Sequence, residues 1–153
     1  MTREMFFSTT TFLLISLFPV VIAGCFNSEI NDKEAQYILN NFYADNVPEP
    51  ISDRHLLSAG KAIIPYLIVE IQKKDMQKRR YAIGALEKFG DRRALPVLTK
   101  ILEDRSEVIY FRDDALRAIW HIDRKLGEEY ARKYHGEYRE IDRTIELLRE
   151  GKI

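Results

Sequence analysis

Two short motifs in this chain return at nearly the same distance. Ala82-Ile83-Gly84-Ala85-Leu86 recurs as Ala115-Leu116-Arg117-Ala118-Ile119, an offset of 33 residues from 82 to 115. Arg79 recurs at the same offset as Arg112, and Ile64-Pro65-Tyr66-Leu67 returns as Leu95-Pro96-Val97-Leu98, 31 residues on. A period of this length holds two helices and two turns. Each unit would bury its apolar face only by stacking on the next, so the chain is constrained to a stacked array.

Hydrophobic spacing fills in the units. Asn31 can cap a first helix, with Glu34 reaching back, and Ala35, Ile38, Leu39 and Phe42 make one apolar stripe to Tyr43. Residues 44–50, with two prolines, read as a loop. Ser52 caps a short second helix that Gly60 stops. The spacing predicts further helices over 61–73, from Asp75 to Phe89, over 93–103, from a Ser106 cap to Ile122, over 127–134 and over 137–149. Pro65 and Pro96 fall in first turns, where a missing N–H costs little. No alternating stretch asks to be a strand.

The run Arg79-x-x-Ala82-x-x-Ala85-Leu86-x-x-Phe89-Gly90-Asp91-x-Arg93-Ala94-Leu95-Pro96-x-Leu98 resembles a HEAT-like repeat of the type first named from phycobilin lyases. Small residues at 82 and 85 allow close helix approach, and Gly90 permits a left-handed turn. Residues 57–74 resemble the end of an earlier repeat and 111–123 the first helix of a later one. Lys78 stands where an apolar residue is usual, Trp120 where a small one is common, and no Ala-Leu-Pro follows Asp123. The resemblance implies an all-α, short right-handed α-solenoid of about three repeats with an atypical C-terminal cap. In such arrays the second helix of each pair lines the docking side. Tyr66, Glu70, Lys73, Lys100 and Glu103 are therefore the candidate partner-binding residues.

The N-terminus carries an address. Arg3 and Glu4 offset each other and the free amino terminus leaves a weakly positive start, Phe12 to Ala23 is almost wholly apolar, and small residues precede Cys25. Ile22-Ala23-Gly24-Cys25 resembles the lipobox of bacterial lipoproteins. The resemblance implies cleavage after Gly24, a lipid on the Cys25 thiol and a place in the cell envelope. The absence of charge from residues 5 to 28 also permits an uncleaved span. Ser8 to Thr11 and Pro19 dilute that run, which suits an export signal better. Cys25 is the sole cysteine among 153 residues, so no intrachain disulfide can form. The expected division is a signal over 1–24, a lipidated tether over 25–31 and a repeat domain over 32–153. Phe26 is not the aspartate that retains such proteins in the inner membrane. The outer membrane is then the expected destination in a two-membrane cell, and the outer face of the cell membrane otherwise.

Charge narrows the partners. The 24 basic and 24 acidic side chains cancel, which argues against nucleic acid. The signs are unevenly placed: residues 73–93 hold eight cations against three acids. That ridge could meet anionic lipid or an acidic protein, but a solvated turn and helix face is the expected reading.

No motif for metal, phosphate or nucleophilic chemistry appears. His55, His121 and His135 are unpaired at helical spacing, and His121 reads as a structural residue. Adjacent Asp113 and Asp114 do not share a helix face and are expected to be solvated or paired with Arg117. Tyr130, Tyr134 and Tyr138 read as packing of the last helices rather than as a binding patch. The expectation is a non-catalytic scaffold that takes no cofactor, metal or small-molecule substrate and binds envelope proteins. A lyase-type enzyme and a purely structural envelope component are the alternatives.

Overall fold

The computed structural model describes residues 30–44 and 53–153. These form eight α-helices, in chain order α1 (Asp32–Ala44), α2 (Arg54–Ser58), α3 (Ile64–Glu70), α4 (Arg79–Phe89), α5 (Leu95–Glu103), α6 (Ile109–Ile122), α7 (Arg124–Tyr134) and α8 (Arg139–Arg149). Short 3₁₀ turns, Gly60–Ile63 and Arg92–Ala94, lead into α3 and α5. There is no strand among the described residues. The fold is an all-α helical repeat.

The helices stack in two layers. The even-numbered helices α2, α4, α6 and α8 pack on one another in sequence, while α5 and α7 flank α6 from the other side. Hydrogen bonds from Tyr43 to Glu70 and from Tyr66 to Asp32 set α1 beside α3 in that second layer. Three pairs, α2/α3, α4/α5 and α6/α7, are thus flanked by α1 and α8. One continuous core runs between the layers, from Phe42 and Leu56 through Leu67, Leu86 and Leu98 to Ile119, Ile145 and Leu148. Each such side chain contributes about 1.5–3 kcal/mol on burial. Ala82 and Ala85 in α4, and Ala115 and Ala118 in α6, are fully buried, as the repeat requires.

Local chemistry sets the helix ends. The Asn31 side chain accepts the Glu34 amide at 3.0 Å, capping α1. Gly90, at φ 60°, ends α4 in the left-handed conformation that glycine adopts most cheaply. Asp91 accepts the Arg93 amide at 2.9 Å and starts the turn into α5.

Three expected boundaries are corrected. Helix α4 begins at Arg79 rather than Asp75, because residues 71–78 form turns that sink Met76 into the core. Ser106 does not cap α6; its amide and hydroxyl both bind Asp104, and the helix starts at Ile109. Helix α7 starts at Arg124 rather than Gly127, because the Asp123 carboxylate accepts the Leu126 amide at 3.2 Å. Gly127 lies inside α7, where the helix presses against Trp120.

Candidate functional site

The expected contact residues fall on one layer. Tyr66 and Glu70 lie on α3, Lys73 just beyond it, and Lys100 and Glu103 on α5. Each is tied to a neighbouring element or turn. The Tyr66 hydroxyl donates to Asp32 at 2.9 Å, and Glu70 accepts from Tyr43 at 2.9 Å and from Lys73 at 2.6 Å. Lys100 reaches Gln72 at 3.5 Å. Glu103 takes Lys133 at 2.8 Å and Tyr130 at 3.2 Å, tying α5 to α7. The Lys133 hydrogen bond holds the Glu103 carboxyl below its usual range. Burial and the Glu70 hydrogen bond push the Tyr43 hydroxyl well above the usual phenol range, so it stays a neutral donor.

Between α1 and α3 this layer opens into a cavity of about 430 Å³, whose lining includes Asp32, Leu39, Pro65, Tyr66, Val69 and Glu70. Val69 is 59% exposed there. A much smaller cleft of about 50 Å³ between the α3–α4 turn and α5 brings Lys100 beside Gln72, Lys74 and Asp104. The layer therefore offers a polar, hydrogen-bonded surface with one apolar hollow. The opposite layer carries a cavity of about 310 Å³ over Gly84, flanked by Arg80, Lys88 and Arg117.

The basic ridge is built into the array. Arg79 is buried; its Nε donates to the Ile71 carbonyl at 2.7 Å and its Nη1 meets Glu107 at 2.7 Å. Arg112, one period later, repeats the arrangement. Its Nε donates to the Leu102 carbonyl at 2.8 Å, its guanidinium lies over Tyr134 and Tyr138, and Glu137 stands 3.9 Å away. Around these, Lys74 pairs with Asp104, Arg80 with Asp114, Lys88 with Asp53 and Arg92 with Asp123. Lys73, Lys78 and Arg93 complete the eight, binding Glu70, the Phe42 carbonyl and Asp91. Every cation of the ridge is engaged, and Lys73, Lys74, Arg80, Lys88, Arg92 and Arg93 are still 46–74% exposed, so the solvated face is also a ladder whose rungs mostly join one unit to the next.

Of the adjacent acids, Asp114 makes the expected pair with Arg117, at 3.6 Å, and a second with Arg80 at 2.9 Å, and it is buried. Asp113 faces Thr144 of α8, with one carboxylate oxygen buried and without a partner. Burial pushes both carboxyls above their usual range. His121 joins Glu87 at 2.7 Å, in keeping with a structural role. The tyrosines pack: the Tyr130 and Tyr134 rings stack at 6.1 Å under Lys133. Trp120 is buried beneath the Arg124 guanidinium.

Spacing exposed Arg79 and Arg112 but not their acids. Glu107 and Glu137 recur 30 residues apart and were the available signal. Cys25 and the lipobox residues Ile22, Ala23 and Gly24 lie outside the described residues. Among the described residues no helix is long and apolar enough to cross a membrane, and no group of three or more histidines, cysteines or acids is placed to hold a metal.

A family model, the PBS lyase HEAT-like repeat, matches residues 78–104. That span is α4, α5 and the turn between them. No curated protein and no solved structure matches the chain.

Proposed function

We propose that this chain is a lipid-anchored helical-repeat scaffold of the cell envelope, held by Cys25 and acting by binding other envelope proteins. The observation that carries the reading is the continuous face of α1, α3, α5 and α7. There inter-helix hydrogen bonds fix Tyr66, Glu70 and Glu103 in place, at the edge of a partly apolar hollow. Pre-fixed side chains lose little entropy when a partner docks, which favours recognition. The HEAT-like match supports the scaffold, since stacked repeats build extended binding surfaces. The Ile22-Ala23-Gly24-Cys25 motif supports the anchor.

Two measurements test the two halves. Alanine at Tyr66, Glu70, Lys73, Lys100 and Glu103 together is expected to weaken partner recovery in a cross-linked pull-down from native membranes. Unchanged recovery with an intact helical spectrum removes the binding face. Cys25→Ser is expected to abolish labelling by radioactive palmitate, and persistent label removes the anchor.

A further inference from the structure

We infer that the edge of the array formed by the turns α2–α3, α4–α5 and α6–α7 is its bilayer-facing surface and rests on anionic lipid headgroups. The inference rests on the Cys25 anchor proposed above. The tether leaves the folded array at this edge, because the Tyr66 hydroxyl, in the first turn of α3, donates to Asp32 at 2.9 Å and lies 3.3 Å from the Ile30 carbonyl. Five residue steps separate Cys25 from Ile30, a reach of at most about 17 Å. A lipid on Cys25 therefore brings this edge, and not the other, to the membrane surface.

Contacts make the three turns one edge. Arg93 donates to the Lys61 carbonyl at 3.3 Å, and Arg92 pairs with Asp123. The His121 ring, 3.3 Å from the Ile153 carbonyl, sets the C-terminus at the same edge. The turns α3–α4, α5–α6 and α7–α8 form the opposite edge, joined by Lys74–Asp104 and Arg105–Glu137.

What this edge turns outward is cationic. Arg92, Arg93 and Arg124 are 74%, 46% and 58% exposed, and Lys61 and Lys125 are exposed beside them. Two carboxylates among them point inward: Asp91 and Asp123 accept backbone amides and are each only 17% exposed, while at the C-terminus Glu150, 54% exposed, pairs with Lys152, 63% exposed. Glu128, half exposed, pairs with Arg124. The start of α1 carries the exposed acids Asp32 and Glu34, so the cations are concentrated on the turns beyond it. A short row of exposed lysine and arginine within a Debye length of anionic headgroups is attracted to them. Seated this way, the helices stand up from the bilayer. The face bearing Tyr66 and Glu103 then opens sideways, and exposed Val108 and Tyr110, at the start of α6, point away from the lipid.

The test uses the full lipidated chain in vesicles of phosphatidylcholine with or without about one third phosphatidylglycerol. Once Cys25 carries lipid, an introduced cysteine is the only free thiol. A fluorophore at Ser58→Cys reports this edge and one at Gln77→Cys the opposite edge; both positions are exposed. With a headgroup quencher, the label at 58 is expected to be quenched several-fold more than that at 77 in anionic vesicles. The ratio should fall toward one in 0.5 M salt (roughly a 4 Å screening length) and in the Lys61→Glu/Lys125→Glu protein. Equal quenching at the two edges overturns the orientation. A ratio indifferent to anionic lipid, salt and charge reversal overturns the headgroup contact and leaves the cations to an acidic protein. Palmitate labelling of the same preparations separates the causes. Its absence removes the anchor and this inference together, whereas its presence with equal quenching removes this inference alone.

Discussion

Gly127 lies against the backbone of Trp120 so closely that a Cβ at 127 would sit 2.5 Å from the Trp120 Cα and 2.9 Å from its Cβ. The α6–α7 pair depends on that approach. The indole of Trp120 is buried at the same crossing, under Arg124. Gly127→Ala is expected to destabilise the protein by about 2–3 kcal/mol in urea unfolding, despite alanine's better helix propensity. Trp120→Ala should not rescue it, because alanine keeps both clashing atoms. A double variant as stable as Trp120→Ala alone would remove this explanation.

Arg79 and Glu107 form a buried pair, 2% and 4% exposed, that joins the start of α4 to the α5–α6 turn. Removing one partner strands the other charge in the core. Arg79→Ala is expected to cost about 3–5 kcal/mol. Arg79→Met with Glu107→Leu should cost clearly less than the sum of the single changes, by 1 kcal/mol or more (roughly the coupling expected of touching charges). Additive losses in the double-mutant cycle would show that the two side chains act independently.

Lys78 is the one non-glycine residue with positive φ among the described residues, at 57°. Its ammonium reaches back to the Phe42 carbonyl at 2.8 Å and lies over the Phe42 ring, closing the end of α1 against α4. Lys78→Ala keeps the backbone strain and loses the bridge. Lys78→Gly loses the bridge but relieves the strain. The glycine variant should therefore melt above the alanine variant by several degrees, for about 1 kcal/mol of difference. The reverse order would mean the left-handed turn costs nothing here.

Burial raises the Asp113 carboxyl above its unfolded value. The folded state then binds a proton more readily than the unfolded one. Its contribution to stability is greatest in acid and is lost as pH rises from the unfolded carboxylate range through the folded value. At neutral pH the ionised group opposes folding. Asp113→Asn is expected to match or exceed the parent at pH 7, by about 1 kcal/mol, and to hold no such advantage at pH 3. Denaturant midpoints at the two pH values check the sign.

Asp91 works the other way. Its hydrogen bond to the Arg93 side chain holds the carboxyl below the usual range. This stability is present above the unfolded pKa and is lost as pH falls through the folded value. Asp91→Ala should cost about 1 kcal/mol at pH 7 through the lost cap, and less in strong acid. A constant deficit across the acid range would mean that the carboxylate charge does not matter.

Most of the fold was legible because the array is periodic. Ala82 and Ala115, Pro65 and Pro96, and Gly90 each have a local steric reason for their place, and local reasons survive in a single sequence. The boundaries missed were those set by distant partners. Helix α4 starts late because residues 71–78 turn in to bury Met76, and α7 starts early because Asp123 both caps it and pairs with Arg92. Lys78, out of place as a core residue, became intelligible only once Phe42 stood opposite. The candidate surface was legible as a layer, since helix order assigns Tyr66 and Glu103 to the same side. The hollow between α1 and α3 was not, because it depends on how two helices from different units settle together.

The ladder of cations and acids has a mechanical consequence. Most rungs join residues 28 to 36 positions apart, so each ties a unit to its neighbour and to nothing farther. A load applied between α1 and α8 would be borne in series. The array would yield at whichever rung gave way first and would then lengthen unit by unit, like a zip fastener drawn from one end.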